Sequence, residues 1–186
     1  MKNNILPALR MSLALILVLA VAYPALMWGI AQLSPNQGKG EIVTYQGKKY
    51  YSNVGQKFDN DNYFWSRPSA VDYNAAGSGA SNKGATNPEY LKEVEARIEN
   101  FQKHNPGIAK QDIPVDMITA SGSGLDPHIS VKAAEVQAKR IASLRQLSET
   151  KVLDLIKTET EKPVLGLFGP EKINVLKLNI ALDQLR

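Results

Sequence analysis

Two glycine-rich stretches carry residue types whose spacing could bind phosphate. Gly79-Ala80-Ser81-Asn82-Lys83-Gly84-Ala85-Thr86 sets two glycines at the separation of a nucleotide-binding P-loop. The lysine that should follow the second glycine and meet the β- and γ-phosphates is replaced by Ala85. No buried strand precedes the loop, so nucleotide hydrolysis is not expected there. Ser121-Gly122-Ser123-Gly124 is better placed, between a predicted strand and a predicted helix. Free backbone N–H groups and a helix dipole can hold an anion or a nucleotide phosphate at such a position. Asp126 falls at the expected cap of that helix and offers its carboxylate to the same groups. A structural N-cap is therefore the stronger expectation.

The remaining reactive side chains do not assemble into a catalytic set. His104 and His128 are the two histidines, and neither has a second ligand at metal-binding spacing. The nucleophile elbow G-x-S-x-G does not surround Ser78, Ser81, Ser121 or Ser123. Absence of cysteine excludes disulfides, thiolate metal sites and cysteine nucleophiles. Asp and Glu are scattered, with no isolated apolar pair to suggest tuned acid–base catalysis. No catalytic residue, metal site or firmly bound cofactor is expected. The net charge is +4, two units of which come from Lys2 and Arg10 ahead of the first apolar run. What remains is too dilute to form a nucleic-acid footprint.

The element that must position everything else is Met11 to Leu33, which has no charged side chain. As a helix it would be roughly 34 Å long, enough to cross a hydrocarbon core of about 30 Å. Lys2 and Arg10 precede it, so the positive-inside rule keeps residues 1–10 in the cytoplasm and sends the rest of the chain outward. Ala20-Val21-Ala22 resembles a signal-peptidase site. Apolar residues nonetheless continue through Leu33, which favours an uncleaved anchor over a removable signal. Pro24 is placed to kink the helix, and Ala25 and Gly29 have the small-xxx-small spacing that lets membrane helices approach closely.

Residues 34–41, rich in turn formers, read as a linker, and residues 42–186 as one extracytoplasmic α+β domain. Ile42–Tyr45 and Tyr50–Val54 suggest a hairpin. Asn87-Pro88 opens a helix whose stripe is Leu91, Val94, Ile98 and Phe101, ending near His104. Ile113–Thr119 alternates like a strand. Asp126-Pro127 is expected to start a second helix, and Ser148 to cap a third. Pro163–Gly169 and Ile173–Leu178 read as extended, with a short closing helix over Asn179–Leu185. The expected class is thus one transmembrane helix followed by short strands and about three to four helices.

Taken in order, these pieces resemble the KdpC family, the small accessory subunits of the Kdp high-affinity potassium-transporting ATPase. The resemblance rests on the N-terminal span, Gly55-Gln56-Lys57-Phe58, and Tyr63-Phe64-Trp65-Ser66-Arg67-Pro68-Ser69. It continues through Gly77–Asn82, Asn87-Pro88, Ile113-Pro114-Val115-Asp116 and Ala120–Ser130. Ala134–Arg140 and the tail Val175–Asp183 complete it. Each piece is weak alone, and the ordered set is specific.

The resemblance implies a single-pass cell-membrane subunit with its domain outside the cytoplasm. Implied partners are a potassium-channel-like subunit, a P-type ATPase subunit that hydrolyses ATP, and a very small membrane peptide. It further implies a catalytic chaperone that raises the ATP affinity of the ATPase subunit, which would bring ATP to the complex and to Ser121, Gly122, Ser123 and Gly124. The topology conflicts with direct ATP contact, so assembly and support of the potassium entrance is the favoured role. Tyr63, Phe64, Trp65 and Arg67, with Asp126 and His128, are expected to form a partner-facing or structurally critical surface. Ala25 and Gly29 are expected to face a partner within the membrane. The alternative is a stand-alone anchored extracellular binding or sensor domain, marked by a ligand cavity and a dispensable span.

Overall fold

A computed structural model describes residues 4–185. Lys2, one of the two charges expected to orient the span, and Arg186 lie outside the described residues. The chain divides into two units, Met1–Thr44 and Tyr45–Arg186.

The first unit is dominated by an apolar helix, Ile5–Ala31, long and apolar enough to cross a membrane. It comprises α1 (Ile5–Ile16), a π-helical stretch (Leu17–Ala22) and α2 (Tyr23–Ala31). At 1.5 Å per residue it extends about 40 Å. It starts earlier than Met11 because Ile5, Leu6 and Leu9 continue the apolar pattern, which carries Arg10 within the helix. Pro24 explains the π stretch. Proline has no N–H, and its ring collides with the carbonyl four residues back, here Ala20. Widening the turn relieves this, and the Tyr23 N–H donates to the Val18 carbonyl, five residues away. The helix stops where Ser34 Oγ donates to the Ala31 carbonyl and accepts from the Gly38 N–H.

The division between the units falls within a hairpin of β1 (Ile42–Tyr45) and β2 (Lys48–Tyr51). Among the described residues, the second unit then runs through four α-helices: α3 (Pro88–His104), α4 (Val131–Arg145), α5 (Glu149–Glu159) and α6 (Val175–Gln184). Each has a capping side chain. Asn87 accepts from the Glu89 and Tyr90 N–H groups, Ser130 from Ala133, Ser148 from Lys151 and Asn174 from Lys177. Three very short strands form an antiparallel sheet in the order β3 (His128–Ile129), β5 (Lys172–Asn174), β4 (Thr160–Glu161). Ile129 and Thr160 both register against Ile173. The core gathers Phe64, Phe101, Ile141, Ile156, Ile173, Leu178 and Leu182, all essentially fully buried.

Four local expectations are corrected. Ile113–Thr119 is not a strand but holds a 3-10 turn, Val115–Met117, and follows another, Lys110–Asp112. Its alternation reflects a buried Met117 beside an exposed Val115. The second helix starts at Val131 rather than after Asp126, because His128 and Ile129 stay extended to pair with β5. Ser130 takes the capping role, and its own N–H donates to Asp116 Oδ2 at 2.6 Å. The closing helix begins at Val175, since Val175, Leu178 and Leu182 recur at helical steps and are buried together. Pro163–Gly169 is a tight turn carrying one bridge, Val164 to Phe168.

Candidate functional site

The run Asp61–Arg67 has extended sequence character but no strand partner. The Tyr63 and Ser66 N–H groups donate to the Asn60 and Phe58 carbonyls, and most of its other backbone bonds are made by side chains, as buried amides require. From α6, Asn179 Oδ1 accepts the Phe64 N–H at 2.9 Å, and Asn179 Nδ2 donates to the Phe64 carbonyl at 3.0 Å. From α4, Gln137 Oε1 accepts the Trp65 N–H at 2.8 Å. Arg140 donates to the Asp61 and Tyr63 carbonyls, to Gln137 Oε1 and, through Nε, to Asn105 Oδ1. Its guanidinium stands 5.1 Å from the Trp65 ring centroid. Burial pulls the Arg140 guanidinium down to about 10, still charged at neutral pH, with Asp61 opposing the shift.

A second set of contacts closes the same run from the end of α4 and from α6. Arg145 lies 4.6 Å from the Tyr63 ring centroid, donates to the Asn62 carbonyl and pairs with Asp183 at 2.6 Å. Tyr45 and Tyr63 also donate to Asp183. Burial would raise the Asp183 carboxyl, but these donors and Arg145 outweigh it and hold the group below its ordinary value. Phe64 and Trp65 are therefore core residues of the domain. Trp65 Nε1 and Arg67 Nε are buried donors with no acceptor among the described residues.

Arg67 ends the run at the surface. Its Nη1 donates to Asp126 Oδ2 at 2.8 Å, joining the two motifs that the sequence presents 59 residues apart. His128 completes the group, with Nδ1 3.4 Å from Asp126 and Nε2 3.5 Å from Glu161. The Asp126 carboxyl is lowered to about 2, by His128 first and then Arg67, against the opposing effect of burial. Asp126 is thus an ion-pair partner and a turn former that accepts the His128 N–H, not a helix cap. Tyr73 buttresses the corner by donating to the Arg67 carbonyl, and burial raises its hydroxyl to about 12.

The Ser121–Gly124 loop meets its neighbours mainly through carbonyl groups. The Ser123 carbonyl accepts from the Gly79 N–H and Ser78 Oγ, the Gly124 carbonyl from Ser69 Oγ, and the Leu125 carbonyl from the Gly55 N–H. The Gly124 N–H turns inward to Ser121 Oγ. The loop ends well before α4, so it does not lead into a helix N-terminus. Both glycine-rich stretches are joined in one clasp, with Gly79 against Ser123. Ala25 and Gly29 lie four residues apart on the exposed apolar helix.

Asn179, Gln137, Arg140 and Asp183 lie within stretches that carry the family resemblance but are not among the expected site residues. The available signal was phase. Gln137 and Arg140 fall on the same α4 face as Ala133, Ala134 and Ile141, and Asn179 lies among Val175, Leu178 and Leu182. A polar residue in step with an apolar stripe must bond to something inside. An open groove of about 360 Å³ beside this network is lined by His104, Ile108, Val136, Lys139 and Leu144 among others. The Asp61 and Arg140 groups that border it are bonded to the fold.

These features define a class: an α+β domain carried by one apolar helix, with its polar motifs used to lock an extended segment between two helices. The chain belongs to the KdpC family, the c chain of the K+-transporting ATPase, whose family model matches residues 5–184. It is similar to the potassium-transporting ATPase KdpC subunit of Flavobacterium psychrophilum, 52% identical over 185 residues that cover 99% of this chain and 100% of the relative. The corresponding subunit of Bacteroides thetaiotaomicron is 48% identical over 186 residues, 98% of each chain. That of Polaromonas naphthalenivorans is 47% identical over 191 residues, covering 100% of this chain and 97% of the relative. The chain is accordingly an accessory subunit of the Kdp potassium-transport system, with one helix suited to single-pass anchoring.

Proposed function

We propose that this subunit is non-catalytic, and that its domain stands outside the cytoplasm and supports assembly of the channel-like and P-type ATPase subunits at the potassium entrance. The small membrane peptide completes the set of partners. Hydrolysis of ATP belongs to the ATPase subunit. The observation that supports this most directly is that Arg67, Asp126, Asn179 and Arg140 are engaged in bonds within the domain. Such groups shape a rigid surface rather than a reaction centre. Placement outside the cytoplasm rests on the positive charge of Lys2 and Arg10 in the amino-terminal part of the chain, Arg10 within the first turns of the apolar helix.

Any effect on ATP affinity then runs through assembly rather than through nucleotide held at Ser121–Gly124. The inward use of the Gly124 N–H supports this. Four measurements test the proposal. The full-length chain should co-purify with the two large subunits, and alone it should show no ATPase activity. Protease added outside intact spheroplasts should cut the domain. A fluorescent ATP analogue should not bind saturably to the chain alone. Saturable binding abolished by S121A, or protection of the domain from outside protease, would overturn the arrangement.

A further inference from the structure

The turn between β4 and β5 exposes Val164 by 68%, Leu165 by 84%, Leu167 by 81% and Phe168 by 66%. From Val164 to Phe168 no side chain can donate or accept a hydrogen bond. The turn is nevertheless ordered by its backbone. Val164 and Phe168 exchange N–H···O bonds of 3.0 Å in both directions, and the Gly166 N–H donates to the Pro163 carbonyl at 2.9 Å. Leu165 is held at φ +55°, a region that side-chain-bearing residues avoid. The paired strands Thr160–Glu161 and Lys172–Asn174 support its base. Four apolar side chains are thus displayed outward on a braced tip, where water would otherwise favour their burial.

We propose that this tip inserts into the interfacial region of the lipid bilayer to which the chain is anchored. Protein interfaces carry about one hydrogen bond per 100–200 Å². A convex tip lacking polar side chains is poorly equipped for that and well suited to the headgroup–acyl boundary. Residues 32–44 link the apolar helix to the domain and span no more than about 45 Å fully extended. The domain therefore remains within reach of the membrane surface, whichever side it occupies. Lys162 and Lys172 flank the tip in sequence and are exposed, and Lys162 has no acidic partner among the described residues. Lysines there complement anionic headgroups, with their alkyl stems against the apolar layer. Glu171 is the exposed carboxylate beside them, and Glu161 is engaged by Lys172, Lys177 and His128.

The chain has no cysteine, so L167C provides a unique labelling site. The full-length variant, carrying a nitroxide at this position, is reconstituted into vesicles of phosphatidylethanolamine with a minority of phosphatidylglycerol. Collision rates with oxygen and with a water-soluble nickel chelate are then measured, with T150C on α5 as the exposed reference. Nickel collision at position 167 should be at least about fivefold below that at 150, while oxygen collision remains high. Adding L165D and F168D should restore nickel access at 167 with an unchanged circular dichroism spectrum. Equal nickel access at both positions would overturn the proposal. So would shielding at 167 from both reagents that appears only when the other Kdp subunits are present, since that would identify a protein partner.

Discussion

Asn179 on α6 bonds both backbone groups of Phe64, accepting its N–H at 2.9 Å and donating to its carbonyl at 3.0 Å. A single carboxamide here replaces the neighbouring strand that an extended residue ordinarily pairs with. Both bonds are buried, so an isosteric apolar residue leaves a donor and an acceptor unsatisfied. Asn179→Leu should lower stability by about 2–4 kcal/mol. Thermal or urea unfolding of the full-length protein in detergent checks this. A change below about 0.5 kcal/mol would mean the two bonds do not hold the run in place.

Arg140 bonds the Asp61 and Tyr63 carbonyls, Gln137 and Asn105 from within the core. Arg140→Ala would strand several acceptors at once and should cost about 3–5 kcal/mol. Arg140→Lys keeps the charge but cannot reproduce the planar fork, so it should recover only part of that loss. Near-wild-type unfolding of the lysine variant would show that charge alone suffices.

The Arg67–Asp126 pair is partly exposed, with 21% and 30% of the two side chains accessible. Its direct contribution to stability is therefore modest, and Arg67→Ala should cost about 1 kcal/mol. Under the proposed function the same variant should also reduce assembly and potassium affinity of the complex. Intact assembly and affinity would leave the pair with a local role only.

Acid dependence follows from Asp126, whose carboxyl is lowered from 3.8 to about 2 in the folded chain. A depressed acid stabilises the fold at pH values above its unfolded pKa. That contribution declines as pH falls from about 4 towards 2. After allowance for solvent screening it amounts to about 1–2 kcal/mol. Asp126→Asn should flatten that part of the stability-versus-pH curve. Asp183, also lowered, contributes with the same sign. An unchanged slope in the asparagine variant would remove Asp126 from the account.

Gly124 and Gly122 separate clasp geometry from ligand cradling. A methyl at Gly124 would meet Val71 Cγ2 at 2.7 Å and the Gly79 carbonyl oxygen at 2.8 Å, at φ +69°. One at Gly122 would have nothing within 4 Å. Gly124→Ala should therefore destabilise by about 2–4 kcal/mol and Gly122→Ala by under about 1 kcal/mol. A Gly122→Ala variant of normal stability that weakens ATP binding to the chain would restore the phosphate-cradle idea.

Ala25 and Gly29 offer a small-residue face on the apolar helix, and a Cβ at Gly29 would meet no atom within 4 Å. If another Kdp subunit packs there, Ala25→Leu with Gly29→Leu should weaken co-purification while membrane insertion persists. Undiminished co-purification would reduce the helix to a tether.

What could be read from the sequence followed local periodicity. The apolar span, the α3 positions Ile98 and Phe101 and the α5 positions Val152 and Ile156 carry their signal within a few residues. The alternation of Ile113–Thr119 misled because Pro114 and the turn at Val115–Met117 produce the same period as a strand. Arg67 and Asp126 could be named as motif residues, but nothing local marks them as a pair. Asn179 and Gln137 left still less trace, since side-chain bonds to distant backbone impose no repeat. Their one mark was polarity on an apolar face.

Phe64 waits for a partner 115 residues further along the chain. During vectorial synthesis, the Asp61–Arg67 run emerges long before α6 and its Asn179 exist. Local helices can form as they appear, but this segment must search for its closing partner across a long loop. Until α6 arrives, an aromatic-rich extended stretch is left with open backbone hydrogen-bonding groups. A nascent chain stalled ahead of α6 should therefore be the form most exposed to proteases and aggregation.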